Sequence, residues 1–165
     1  MWTVIKIDKK KQNFFKNEIT KKLGSDIILY SPKINIQNYI NNKLIDKKID
    51  LLGDYIFCFH DDFKNPKILN KLKFVKGLKY FLEGFTRSQK EIENFISKCK
   101  NSENNQGYLT KNIFNLYKDR EYKFFSGPFT NMIFKIINIQ KKKIEILIGN
   151  VKTVTNTEEN CFQPI

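Results

Sequence analysis

Apolar residues recur at helical spacing in three stretches before residue 100 and in none after it, and that asymmetry limits the architecture more than any other feature. Phe15, Ile19 and Leu23 fall every fourth residue; Ile68, Leu69 and Leu72 line a second stripe; Ile92, Phe95, Ile96 and Cys99 line a third. Each stripe carries end signals. Gly24 follows the first, where a helix C-terminal glycine belongs. Asn65-Pro66 opens the second as an N-cap and a first-turn proline, and Gly77 breaks it. Ser88-Gln89-Lys90-Glu91 reads as a capping box before the third, with Ser88 as N-cap and Glu91 reaching back.

Between these helices the sequence favours strands. Residues 2–7 supply β-branched bulk in Val4, Ile5 and Ile7, residues 26–30 form a short run stopped by Ser31-Pro32, and residues 78–82 end before Gly84. The clearest strand covers 54–60, where a period of two puts Tyr55, Phe57 and Phe59 on one face and Ile56, Cys58 and His60 on the other. Residues 33–50 are polar, Asn-rich and poorly periodic, which predicts mostly loop. Residues 100–112 are polar and turn-rich and read as a linker. Beyond them, residues 121–125, 133–139, 143–148 and 151–155 favour strands, with turns at Ser126-Gly127-Pro128 and Gly149-Asn150.

The expected order is β-α-β-β-α-β-α, then a linker, then a small all-β unit. That is an α+β chain, with an antiparallel sheet and its helices on one side over residues 1–102, a linker over 103–117, and a small β-barrel over 118–165.

Hydrophobic residues make up 41% of the 165 residues, enough for a sizeable core. No stretch approaches the ~20 apolar residues that span a bilayer, and the start Met1-Trp2-Thr3-Val4-Ile5-Lys6 lacks the basic-then-apolar form of a secretory signal. A cytoplasmic protein without membrane contact is expected. Cys58, Cys99 and Cys161 are widely spaced and odd in number, which suits reduced thiols, and His60 is the only histidine, so no metal site or cofactor is expected. No catalytic constellation emerges: there is no Gly-rich phosphate loop, and Asp61-Asp62 before the second helix is explained by helix-terminus electrostatics. The chain is therefore not expected to be an enzyme.

The formal net charge of +13 points to a polyanionic partner. Only Arg87 and Arg120 are arginine, and the abundance of Lys, Asn and Ile is what an AT-rich genome imposes, so the distribution says more than the total. Residues 1–86 carry a net +8, residues 87–122 a net +2 and residues 123–165 a net +3. Nucleic-acid contact is expected in the first half.

With these residues in place, the chain resembles the NusG family of transcription elongation factors over nearly its full length. Trp2 opens the first strand, as it commonly does in the family's N-terminal domain. Leu51-Leu52-Gly53-Asp54-Tyr55-Ile56-Phe57 looks like the signature leucine-phenylalanine-proline-glycine-tyrosine-valine-phenylalanine, with Gly53 in place of the proline. Val75-Lys76-Gly77-Leu78-Lys79-Tyr80-Phe81-Leu82 is similar to the family's valine-x-glycine-valine-x-x-phenylalanine. Lys118-Asp119 and Ser126-Gly127-Pro128-Phe129 resemble the beginning and first turn of a KOW domain. Two departures, Met132-Ile133-Phe134 where a second KOW glycine is usual and Gly149-Asn150-Val151-Lys152-Thr153 for glycine-arginine-x-threonine-proline, resemble the specialised RfaH-type branch.

The resemblance implies a NusG-type, ferredoxin-like N-terminal domain and a C-terminal KOW β-barrel. It implies a transcription elongation or antitermination adaptor that docks on the RNA polymerase clamp through Leu52, Tyr55 and Phe57, with Ile92 and Ile96 at the edge of the pocket. Lys9, Lys10, Lys11, Lys16, Lys76 and Lys79 would hold phosphates of the non-template DNA strand, with Gln12 and Tyr80 as candidates for contacting bases. Phe129 would meet a small-subunit ribosomal protein or the termination factor Rho. The alternative is a ribosome- or RNA-binding KOW protein that acts without polymerase.

Overall fold

The structure, a computed structural model, describes residues 1–40, 43–110, 113–125, 129–158 and 160–165, and the side chains of these apart from 36–40, 43 and 44. Its internal contacts form two compact units, Met1–Ser31 with Asp50–Ser97, and Pro32–Ile49 with Lys98–Ile165.

The first unit contains strands β1 (Trp2–Ile7) and β2 (Ile28–Tyr30), and helix α1 (Gln12–Leu23) between them. In chain order, β3 (Lys33–Ile40) and β4 (Lys43–Asp50) precede its next strand, β5 (Tyr55–Phe59); then come α2 (Pro66–Leu72), β6 (Leu78–Phe81) and α3 (Gln89–Lys100). Two of the expected end signals operate, while α2 ends at Leu72, five residues before the Gly77 expected to break it. Asn65 Oδ1 accepts the Lys67 amide at 3.0 Å to cap α2, and the Gly24 amide closes α1 on the Thr20 carbonyl at 2.8 Å. The sheet order is β2-β5-β1-β6, with every neighbouring pair antiparallel. With one helix after β1 and another after β5, this is the split βαβ connectivity of a ferredoxin-like fold.

Both faces of this sheet are covered, where helices on one side alone were expected. Ile5, Ile7, Ile56 and Cys58 pack with Phe15 and Ile19 of α1, Leu72 of α2, and Phe63 and Val75. Val4 and Phe57 on the other face pack under Ile92 and Ile96 of α3. The reason lies in β5, which is apolar on both faces. Leaving either side in water would forfeit roughly 1.5–3 kcal/mol per large apolar side chain.

Within the stretch 33–50, expected to be mostly loop, Lys33–Ile40 form β3 and Lys43–Asp50 form β4. Strand β7 (Tyr108–Leu109) joins β3 in parallel, with Lys33 opposite Tyr108 and Ile34 opposite Leu109. Ile34, Ile36 and Ile40 lie at even spacings in the sequence, a strand signal obscured by the asparagines between them. The stretch expected to be a linker thus contains a strand, and Leu109 and Ile113 are buried.

The remaining strands are β8 (Glu121–Phe124), β9 (Ile133–Gln140), β10 (Lys143–Ile148), β11 (Val151–Asn156) and β12 (Phe162–Pro164). They form one antiparallel sheet in the order β11-β10-β9-β8-β12, curled over a core of Tyr122, Phe124, Phe134, Ile136, Ile144, Ile146 and Phe162. The four-strand β pattern of the sequence is present, but the expected closed barrel is not: among the described residues β12 is three residues long and pairs with β8 alone, so β11 and β12 stand at opposite edges. The turn Ser126-Gly127-Pro128 lies outside the described residues. No helix of the described residues is long and apolar enough to cross a membrane.

Candidate docking face and nucleic-acid interface

The residues before β5 set its direction. The Gly53 amide donates to the Asp50 carbonyl at 3.1 Å and the Tyr55 amide to that of Leu52 at 3.2 Å. Gly53 has φ +61°, a left-handed conformation closed to the proline of the family signature. Leu51 is buried and Leu52 half-buried, so the turn anchors one leucine and leaves its neighbour at the rim.

Leu52, Tyr55, Phe57, Ile92 and Ile96, the five docking residues expected from the sequence, do gather in one cluster. They do not line an open pocket. Phe57, Ile92 and Ile96 are 5%, 8% and 4% exposed, and the ring of Phe95 lies 5.7 Å from that of Phe57. The helix itself fills the apolar face. Leu52 and Tyr55 remain half-buried around it, with Trp2, Phe85 and Phe95. Gln89 locks this arrangement: its amide accepts from the Trp2 N–H at 2.9 Å and donates to the Trp2 and Phe85 carbonyls at 2.8 and 2.7 Å.

Tyr55 also reaches across β1 to the edge strand β6. Its hydroxyl lies 3.0 Å from that of Tyr80 on β6, and the Lys6 ammonium of the intervening β1 sits 5.2 and 5.7 Å from the two ring centres. The hydrogen bond from Tyr80 pulls the Tyr55 phenol below the usual tyrosine value, and the same bond pushes Tyr80 above it. The charge of the two phenols, Tyr55 first, raises Lys6. Lys6 was not among the sequence candidates; its place opposite Tyr55 in the β1–β5 register is what brings it here.

The Lys9–Lys11 turn meets the chain beside Lys76 at Gly77. Lys9–Lys11 form a single 3-10 turn after β1, capped by Asp8, whose amide donates to the Gly77 carbonyl at 2.8 Å. A Cβ on Gly77 would stand 2.9 Å from the Lys11 carbonyl oxygen, so the turn and the start of β6 touch backbone to backbone. The lysines differ in how free they are. Lys9 pairs with Asp50 at 3.4 Å, Lys11 with Asp8 at 3.6 Å and Lys79 with Asp54 at 4.0 Å. Lys10 and Lys16 are exposed, and among the described residues their ammonium groups form no ion pair, although the Lys10 amide donates to Asp8 Oδ1 at 3.1 Å. Lys76 lies 4.8 Å over the ring of Phe14, while its amide donates to Glu18 Oε2 at 2.9 Å. Gln12, half-buried, begins α1 next to this turn.

Phe129 is 37% exposed and rests against Phe124, ring centres 5.6 Å apart. The Met132 amide returns to its carbonyl at 2.9 Å, and Asn131 adopts φ +72° to make the turn. Met132 and Ile133 beside it are also exposed.

No family model and no curated protein matches the chain. Among solved structures, it is similar to the MjSpt4:Spt5 complex in conformation B, at 13% identity over 100% of this chain and 97% of that one, with a TM-score of 0.34. Conformation A of the same complex gives 13%, 100%, 98% and 0.31. NusG of Thermotoga maritima, solved for its domain interaction, is similar at 14% identity over 96% of this chain and 94% of that one, with a TM-score of 0.36. Likenesses this distant carry no functional weight.

Proposed function

We propose that this chain is a NusG-type transcription elongation factor, a non-enzymatic cytoplasmic adaptor that docks on the clamp of RNA polymerase. Residues of the first unit would dock and hold the non-template strand, and residues 118–165 would act as the KOW-type unit that recruits a ribosomal protein or Rho. The observation that carries the reading is the position of the Leu51-to-Phe57 signature. It opens a central strand of a split βαβ sheet and leaves Leu52 and Tyr55 on an aromatic rim beside a lysine-rich edge.

The physical chemistry suits the role. A rim of half-buried aromatics can receive apolar side chains of a partner helix while keeping its own core closed. Lysines at the adjoining edge neutralise phosphates without reading sequence. The exposed Phe129, Met132 and Ile133 give the second unit a small apolar contact surface of its own.

Co-sedimentation of the full chain with core polymerase and with an assembled elongation complex tests the proposal. Binding to both is expected, weakened about tenfold or more by Tyr55→Ala, since centrally placed aromatic anchors carry about 2 kcal/mol or more. A folded chain that binds neither sinks the reading, and binding to structured RNA without polymerase would favour an RNA-binding protein instead.

A further inference from the structure

Lys6 stands within β1, a strand with neighbours on both sides, where a long cation is an uncommon choice. Strand register gives it a tyrosine on each flank, Tyr55 of β5 on one side and Tyr80 of β6 on the other, and the β1–β6 register shifts directly after it. Side chains paired across strands stand about 5 Å apart, so the three make a short row across the sheet. The row belongs to the face that carries Val4, Phe57 and Leu52, because Val4 and Lys6 alternate to the same side of β1.

This row holds a positive charge without its counterpart. Lys6 is half-buried, and among the described residues its ammonium forms no ion pair; the groups that raise its pKa are the two phenols, Tyr55 first. Asp54 acts on Tyr55, but its carboxylate pairs with Lys79 at 4.0 Å. Neutral phenol rings hold the ammonium, 5.2 and 5.7 Å from their centres, without supplying a negative charge. The hydroxyls add a second donor. They lie 3.0 Å apart, so one proton bridges the two oxygens and the other is left for a further acceptor. An ammonium and a hydroxyl donor side by side match the two oxygens of a carboxylate.

We propose that Lys6, between Tyr55 and Tyr80, receives one carboxylate of the docking partner, so that the rim accepts an apolar surface only where that surface carries an aspartate or glutamate. The proposal rests on the reading of this face as the polymerase contact and names the chemistry the partner must bring to it. A single carboxylate fits the place better than a run of phosphates. Asp54 adjoins the site, and Leu52, Trp2 and Phe85 make the rest of the rim apolar, so a polyanion crossing it would meet a like charge and lose water without compensation. A partner that presents a lysine or arginine at this point is repelled, which gives the rim a selectivity that aromatic rings alone do not have.

Core polymerase free of nucleic acid is the probe. Lys6→Met keeps a long stem beside the rings and removes the charge. It is expected to raise the Kd of the full chain about tenfold and to flatten the salt dependence of binding. Lys6→Glu should bind more weakly still, and Lys6→Arg should keep most of the affinity. A carbodiimide, which joins an amine to a carboxylate held against it, should couple Lys6 of the parent chain to an aspartate or glutamate of polymerase, located by peptide mass spectrometry. Near-ultraviolet circular dichroism verifies the fold of each variant. A folded Lys6→Met chain that binds core polymerase as tightly as the parent at every salt concentration overturns the carboxylate site and leaves the docking reading standing. A parent that binds no polymerase overturns both. A Lys6 effect seen only with the assembled elongation complex would assign the ammonium to a phosphate and overturn the proposal as well.

Discussion

Tyr55 and Tyr80 are joined by a 3.0 Å hydroxyl contact although their strands are not neighbours: β1 runs between them, and they close over its Lys6. The proposed docking rim and the lysine-rich edge therefore share one polar bridge. Tyr80→Phe removes the bridge and little else, since Tyr80 is 44% exposed. It should cost stability at most about 1 kcal/mol. It should also weaken polymerase binding a few-fold from a strand that is not at the rim, which co-sedimentation can detect. Phe57→Ala is a different experiment. With Phe57 5% exposed beneath α3, the loss should be about 3–5 kcal/mol, and lost docking would then report unfolding.

The second expectation concerns which lysines release counterions. Serine at Lys10, Lys16 or Lys76 should each lower the salt slope of single-strand binding by about 0.7. Serine at Lys9, Lys11 or Lys79 should lower it less, because Asp50, Asp8 and Asp54 already neutralise those groups. Anisotropy over a salt series distinguishes the two sets. Equal slopes for all six variants would mean that the ion pairs do not persist in solution.

Gly77→Ala should be costly out of proportion to its size. Its φ of +93° disfavours an L side chain, and the new methyl would press on the Lys11 carbonyl at 2.9 Å, a backbone atom that cannot swing aside. The left-handed strain and the clash add, so a loss of about 3 kcal/mol or more is expected in urea unfolding. Gly53→Ala, at φ +61° with open space around it, should cost only about 1–2 kcal/mol. Equal costs would show that the turn yields easily.

Much of the first unit was legible because its signals are local. Asn65-Pro66, Gly24 and the period-two run of β5 each act within a few residues, and each falls where the sequence places it. The pair of strands β3 and β4 was hidden by composition, since asparagine disfavours strands while the isoleucine alternation supports one. What periodicity could not give was a face's partner. Tyr55 and Phe57 share a side of β5, yet only the position of α3 makes one a rim group and the other core. Lys6 was missed for the same reason, since it gains its role from strand register.

Burial raises the Cys58 thiol well above its usual value, because the sheet's interior disfavours a thiolate. Below about pH 8.5 both folded and unfolded states keep the proton, and the contribution to stability is constant. As pH rises past that value the unfolded chain loses a proton that the folded chain retains, so stability falls by up to about 1.4 kcal/mol per pH unit. Comparing urea midpoints of the parent and Cys58→Ala at pH 8 and pH 10 isolates this group. The parent should lose more stability than the variant across that interval. Equal losses would mean that Cys58 is not shielded.

Phe129 stands half in and half out of the second unit's core, against Phe124, which is fully buried among Tyr122, Phe134 and Phe162. The two rings should separate stability from recruitment. Phe124→Ala opens a cavity where several aromatic rings meet and should cost about 3–5 kcal/mol. Phe129→Ala removes a 37% exposed ring and should cost roughly 1–2 kcal/mol, little enough for the unit to stay folded. If Phe129 is the recruiting group, its alanine variant in the full chain should bind a small-subunit ribosomal protein or Rho at least about tenfold more weakly, as expected for an aromatic anchor. Titration calorimetry gives the affinity, and near-ultraviolet circular dichroism verifies the fold. A folded Phe129→Ala chain with undiminished affinity would move the recruiting surface away from this turn, leaving Met132 and Ile133 as the next apolar groups to test.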